Sequence, residues 1–309
     1  MFRIVQVDRQ RAESVEWLGS KRKFWFVDGP MRWLFKAEER GTGEDWAEKI
    51  ACELCERIGL PHVHYELAEE FDKGIYLQPG VVCPHLAPRP RSLVLGNQLL
   101  WDRDPDYPKT DVRKYRMQAH TVEAVSACVA ELDLPPLEWL ANLPERIGTA
   151  RGIFLGYLML DAWVANQDRH HENWGAIALP GAGRLCLAPT FDHGASLARN
   201  LSDEERRDRL ESHDEGRQIP HFASRARSGF YASPADTRAL GTFAAFRAME
   251  NLDPNAARIW LDRLRGVTKG EMERIVREIP PNRMTDITRR FTLELLTTNQ
   301  QRLLQPSVG

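Results

Sequence analysis

The residues best suited to chemistry lie in one polar break, Asn166-Gln-Asp168-Arg-His170-His-Glu-Asn173-Trp-Gly175, directly after an apolar segment. An Asp followed four residues on by an Asn has a mechanical use in phosphoryl transfer. The Asp takes or orients the proton of an attacking hydroxyl, and the Asn, one short loop away, ligates Mg²⁺. Beyond it, Asp192 stands in Phe191-Asp-His-Gly194 after the strand-like Leu185–Ala188. A carboxylate there can bridge Mg²⁺ and the β- and γ-phosphates of a nucleotide. Hard oxygen ligands favour Mg²⁺ over zinc, since His170 and His171 have no third soft ligand at useful spacing. Polar loops of this composition also simply cap helices and form turns, so the loop needs support from the rest of the chain.

That support comes from the elements that must position it. Phe24–Val27 and Arg32–Lys36 flank Asp28-Gly-Pro-Met31, the pattern of a hairpin. Lys36 closes the second strand. EDWAEKIACELCERIGLP then predicts an amphipathic helix, with Trp46, Ile50, Leu54 and Ile58 at helical spacing and Gly59 and Pro61 ending it. Glu48, in its first turns, is placed to fix Lys36 while the lysine reaches nucleotide phosphates. Upstream, Gly19-Ser20-Lys21-Arg22-Lys23 offers small residues and cations, a workable anion cradle or a solvated turn. Strands at His62–Leu67 and Gly74–Leu77 put Gln78 close to a hinge, where a nucleotide would bind between the lobes. The Pro- and Arg-rich PHLAPRPR marks a boundary between a unit of residues 1–85 and one of 86–309. Helices are expected over 112–132, 136–146, 149–165 and from Asp236 to Leu304. The charged stretch 202–228 is expected to be exposed or mobile. The result is an α+β chain with a small strand-rich lobe and a mainly helical one.

Composition narrows the alternatives. The chain has 309 residues, 42% hydrophobic, with 9 Trp and 12 Phe, enough for a large core and too aromatic for disorder. Forty-two basic against 44 acidic residues give a net charge of −2, so no global field favours nucleic acid. Such a role would require the arginines of 89–116 and 199–227 to form one patch. No signal-peptide pattern opens the chain, and GIFLGYLMLDAWVAN is too short and too polar to span a bilayer. Five cysteines form an odd set without zinc spacing. Cys52 and Cys55 read C-x-x-C but lie in a helical pattern with no second pair, which predicts buried thiols in a reducing cytoplasm.

The order of parts is cradle, strand lysine, helix glutamate, hinge, Asp-x4-Asn, strand and Asp, as in protein kinases. The segments LFKAEERGTGEDWAEKIACELCERIGLP, RSLVLGNQLL, ANQDRHHENWG and LAPTFDHGASL resemble the stand-alone HipA-like kinases. That family's fold is related to the phosphatidylinositol 3- and 4-kinases and to protein kinases. The likeness touches most of residues 17–200 and is strongest at Asn166–Gly175 and Leu187–Asp192. It implies a bilobed kinase-like fold and an ATP- and Mg²⁺-dependent kinase. Lys36 becomes the phosphate-binding lysine, Glu48 its partner, Asp168 the catalytic aspartate, Asn173 and Asp192 the metal ligands, and His170 a brace for the loop. Gly19, Ser20 and Lys21 fall where the family's phosphate loop lies, a loop whose serine, when phosphorylated, silences the enzyme. Lys36 comes too early for the N-terminal extension of full-length HipA toxins, and 202–228 has no counterpart.

The expected acceptor is a hydroxyl, foremost of protein Ser or Thr, with a cognate antitoxin or other regulator as partner class. A small-molecule or lipid-headgroup kinase is the alternative enzyme. A binding module on a degenerate kinase fold is the alternative of another class, and it would be expected to lack one of Lys36, Asp168, Asn173 and Asp192, all of which are present.

Overall fold

The computed structural model describes residues 1–15, 22–38, 41–108, 117–181 and 183–305. Its larger sheet has six strands in the order β1-β5-β6-β4-β3-β2. These are β1 (Ile4–Asp8), β2 (Ala12–Val15), β3 (Lys23–Asp28), β4 (Met31–Ala37), β5 (Glu66–Asp72) and β6 (Ile75–Pro84). The expected hairpin is β3–β4, in register from Lys23↔Lys36 to Asp28↔Met31. Its two turn residues are Gly29, at φ 58, and Pro30, whose ring keeps φ negative. A positive φ followed by a negative one fits a type II′ turn, whose twist matches the strands.

Alternation along these strands gives the sheet two different faces. Phe24, Phe26, Phe35 and Val82 form a small cluster on one face with Val7 and Ala68. Trp25, Leu34, Lys36, Val81 and Cys83 face the other way, into a cleft. Two expected strands are shifted. His62–Tyr65 makes only an isolated bridge, His62↔Thr190, and β6 runs on to Pro84, well beyond Leu77. β1, which no alternating pattern announces, joins by parallel pairing to β5, Ile4↔Leu67 to Asp8↔Phe71.

Helix α1 (Glu44–Ile58) starts at Gly43, in the left-handed region at φ 86, and ends at Gly59, φ 74, whose N–H caps Cys55 and Glu56 carbonyls. It is buried on nearly all sides, because it lies between the sheet and the helical lobe. The apolar segment forms α4 (Ala150–Val164), capped by Thr149 and buried along its length. Around α4 pack α7 (Thr242–Leu252), α8 (Pro254–Arg265) and α10 (Asp286–Leu304), completed by α9 (Lys269–Glu278). One cluster of buried side chains runs from Trp46 and Ile50 of α1 through Leu158 and Trp163 to Trp260 of α8. No helix among the described residues is long and apolar enough to cross a membrane. A second sheet joins β7 (Ser92–Leu95), β8 (Gly175–Ala178) and β9 (Leu185–Leu187), and α2 (Gly96–Arg103) follows β7.

Two helical expectations need correction. Residues 136–146 form one 3-10 turn, Leu137–Trp139, because Pro135, Pro136 and Pro144 withhold main-chain donors. Of 112–132, the described helix is α3 (Val122–Val129), and 109–116 lie outside the described residues. The 202–228 stretch is largely exposed, as expected, and contains helical structure. It holds α5 (Asp203–Glu211), opened by a Ser202/Glu205 capping box, and α6 (Ile219–Ser224). Buried Arg206 anchors it by donating to the Arg199 carbonyl at 3.0 Å.

His120 should make the helical lobe sensitive to acid. It is fully buried, stacked on Phe230 with ring centroids 4.3 Å apart. Its Nδ1 donates to the Gly229 carbonyl at 2.9 Å, and its Nε2 accepts from Trp174 Nε1 at 3.1 Å, which requires the neutral ring. Burial pushes its pKa down to about 3. A depressed histidine pKa contributes stability above about pH 6.5 that is lost as the pH falls toward 3. The loss between pH 6.5 and 5 should be about 2 kcal/mol. Urea midpoints of the wild type should therefore fall more steeply over that window than those of His120→Gln. Parallel slopes would refute the assignment.

Candidate active site

The cleft between the sheet and the helical lobe has a volume of about 430 Å³. Its roof is Trp25, Leu34, Val81 and Cys83, and its back is the connection Pro84–Ala87 that joins β6 to the rest of the chain. Lys36, Glu48, Asp168, Asn173 and Asp192 all line it. The chain thus brings together residues spread over more than half its length.

At the inner end Lys36 Nζ lies 2.8 Å from Asp192 Oδ1, 3.4 Å from Glu48 Oε1 and 3.5 Å from the Tyr65 hydroxyl. Burial works against the Lys36 charge, but Asp192, Tyr65 and Glu48 outweigh it and hold its pKa well above the usual lysine value. Burial pushes the Glu48 carboxyl up against the pull of Lys36, and Asp192 adds to the rise. Tyr65 was not anticipated from the sequence. Its hydroxyl also accepts from the Asp192 main-chain N–H at 3.4 Å, so it joins the lysine to the loop after β9. Asp192 sits at φ 61, in the left-handed region that Asp tolerates better than most residues.

The loop before β8 is built around a buried ion pair. Arg169 donates to both oxygens of Asp161 on α4, each at 2.8 Å, and both side chains are almost wholly buried. A bidentate pair of this kind fixes direction as well as charge. Arg169 also donates to the Asn173 carbonyl at 2.8 Å and the Phe191 carbonyl at 3.4 Å, tying both site loops to one guanidinium. Asn166 bonds Asp161 through its amide nitrogen and accepts from the Asp168 N–H through its oxygen. Gly229 closes over this loop, and a Cβ there would meet the Arg169 carbonyl oxygen at 2.6 Å.

Asn173 Nδ2 donates to the Asp168 carbonyl at 2.7 Å. The nitrogen end of the amide is thereby tied to the main chain, and the oxygen is the end left for a cation. Glu172 N–H donates to His170 Nδ1 at 3.1 Å, so Nε2 carries the proton and lies 3.7 Å from Asp168 Oδ1. His170 is therefore a brace within the loop. Glu48 Oε2 is a buried acceptor without a hydrogen-bond partner on the cleft wall. That orphaned acceptor and the oxygens of Asn173 and Asp192 suit a metal cation with oxygen preference.

Gln78 is not brought to the cleft. Its side chain donates to Glu70 Oε2 at 2.6 Å, in a cluster with Arg9 and Arg22. The reason is the length of β6, which carries the connecting segment six residues further on, to Pro84. Lys23 does line the cleft, whereas Gly19, Ser20 and Lys21 lie outside the described residues.

No family model matches the sequence, and no curated protein does. Among solved structures, the chain is similar to the proinflammatory kinase CtkA of Helicobacter pylori, with a TM-score of 0.70 at 17% identity, over 97% of this chain and 99% of that one. It is also similar to HipA of the Shewanella oneidensis MR-1 toxin–antitoxin system, solved with HipB and operator DNA. There the TM-score is 0.53 at 13% identity, over 96% of this chain and 66% of that one. With the mixed six-stranded sheet on one side of the cleft and the α4-centred bundle on the other, the chain shares the bilobed, kinase-like α+β fold of these two structures.

Proposed function

We propose that the protein is a Mg²⁺- and ATP-dependent kinase that phosphorylates Ser or Thr hydroxyls of a protein substrate. The observation that carries this reading is the contact of Lys36 with both Glu48 and Asp192, in a cleft that Asp168 and Asn173 also line. An ammonium fixed between two carboxylates is suited to hold phosphate oxygens without wandering, and positioning is most of what phosphoryl transfer asks of a protein. Mg²⁺–ATP, when bound, supplies the phosphoryl group and spreads its negative charge. Asn173 and Asp192 offer the oxygens that would hold the cation. Asp168 accepts or orients the proton of the attacking hydroxyl, and His170 and Arg169 keep it in place. The apolar roof and the Pro84–Ala87 connection accommodate a flat base.

The five cysteines are free and buried, which fits a reducing, cytoplasmic setting. A regulatory protein partner belongs to the same proposal, by likeness to HipA. The test is incubation of the full chain with γ-labelled ATP and Mg²⁺, alone and with lysate. Label should appear in the chain itself or in a discrete protein band. Label in lipid or small-molecule fractions would move the acceptor class, and absence of both nucleotide binding and transfer would favour a binding module.

A further inference from the structure

We propose that Cys52, His62 and His64 form a Cys-His₂ site for a divalent transition metal, with Zn²⁺ as the ion it fits. One ligand atom from each side chain lies within 4.8 Å of the others. Cys52 Sγ is 3.8 Å from His64 Nδ1. Bonds of about 2.3 Å to sulfur and about 2.0–2.1 Å to nitrogen put such atoms roughly 3.6–3.8 Å apart across a tetrahedral to trigonal angle. The pair therefore has the spacing of two ligands on one ion.

The hydrogen bonds around the cluster assign the ring nitrogens. His62 Nδ1 lies 2.8 Å from the Leu60 carbonyl oxygen, an acceptor only, so Nδ1 carries the proton and Nε2 keeps its lone pair. His64 Nε2 lies 2.7 Å from Glu66 Oε1, so its Nδ1, the atom facing Cys52, is the one with a lone pair. A carbonyl or carboxylate behind each imidazole is the usual outer support of a metal-binding histidine. Glu66 is itself held by Lys49 at 2.9 Å, and Lys49 by Glu53 at 2.8 Å. The Tyr65 main-chain N–H donates to Cys52 Sγ at 3.3 Å, which favours the sulfur as an acceptor and hence as a thiolate. Glu56, one turn beyond Cys52 on α1, reaches to 3.9 Å from His62 Nε2, where it or a water would complete four-coordination. Mixed thiolate and imidazole ligands select zinc over Mg²⁺ or Ca²⁺. The His64 side chain is 51% exposed, which gives an ion access to an otherwise buried cluster.

The site would join α1 to the segment leading into β5. Glu48 lies one helical turn before Cys52 and Tyr65 directly follows His64, so the metal would stiffen both supports of Lys36 from behind. Its existence does not depend on the proposed kinase activity.

The experiment uses the purified full chain, stripped with a chelator and titrated with Zn²⁺ against a chromophoric competitor, then loaded with Co²⁺ for absorption spectroscopy. One Zn²⁺ per folded chain is expected, together with a thiolate-to-cobalt charge-transfer band in the near ultraviolet and a rise in Tm on zinc addition. His64→Asn, a change at a half-exposed side chain, should fold normally, bind Zn²⁺ about 100-fold or more weakly and lose the zinc-dependent rise in Tm. Cys52→Ser should remove the charge-transfer band, and Cys186→Ser should leave binding and spectrum unchanged. Failure of the folded wild-type chain to bind Zn²⁺ stoichiometrically, or retention of affinity and cobalt spectrum in His64→Asn, would overturn the proposal.

Discussion

Asp192→Asn should lower phosphoryl transfer about 10³-fold and leave the protein folded. The substitution keeps shape but removes a negative charge from the proposed site of metal and phosphate, an expected loss of about 4 kcal/mol of transition-state stabilisation. Two observations separate this from a folding defect. Asp192 has φ 61, and Asn adopts that conformation at least as readily as Asp, so no backbone strain is introduced. Its side chain is 36% exposed, so the lost pairing with Lys36 is partly screened and costs stability only about 1 kcal/mol. Lys36 also keeps Glu48 as a partner. Melting within a few degrees of the wild type, with turnover nearly abolished over a range of Mg²⁺ concentrations, is the expected pair of results. A variant with near wild-type turnover would show that Asp192 holds no metal.

What could be read in the sequence was local. The Asp28–Met31 turn, Lys36 at a strand end and Glu48 in the following helix are separated by few residues, and their spacing alone sets them face to face. The Asp168–Asn173 loop was legible for the same reason. Residues that act at long range were not. Tyr65 contacts Lys36 only because β5 and β4 flank β6, and the parallel β1–β5 pair leaves no turn signal in the sequence. Gln78 was misplaced because a strand's end cannot be counted from a Pro-Gly pair that the sheet absorbs at Pro79↔Glu69 and Gly80↔Ala68.

Arg169 and Asp161 are the instructive case. A single Asp in the otherwise apolar run GIFLGYLMLDAWVAN is costly to bury without a partner, and the next unassigned cation is the Arg beside Asp168. The bidentate pair resolves both at once and ties the Asp168–Asn173 loop to α4. The Cys52 cluster has no signature in cysteine spacing, since one of its side chains comes from a helix and two from the segment after it.

The second large effect concerns the proton of the acceptor. Asp168→Ala should cut transfer by about 10³–10⁴-fold while nucleotide affinity stays within about threefold of the wild type. Asp168 lines the cleft beside Asn173 and His170, and its side chain is 28% exposed. Its main chain does the structural work, since the N–H binds Asn166 and the carbonyl holds Asn173 Nδ2. Truncation at Cβ therefore leaves the Asn173 amide anchored to the main chain and removes the carboxylate proposed to receive the hydroxyl proton. Lys36→Met is the contrasting variant, because it removes the charge that holds phosphate, and it should lose nucleotide affinity as well as transfer. Titration with a fluorescent nucleotide alongside single-turnover transfer separates the two roles. If Asp168→Ala lost nucleotide affinity as completely as Lys36→Met, Asp168 would belong to nucleotide binding, and the base would have to be sought elsewhere in the cleft.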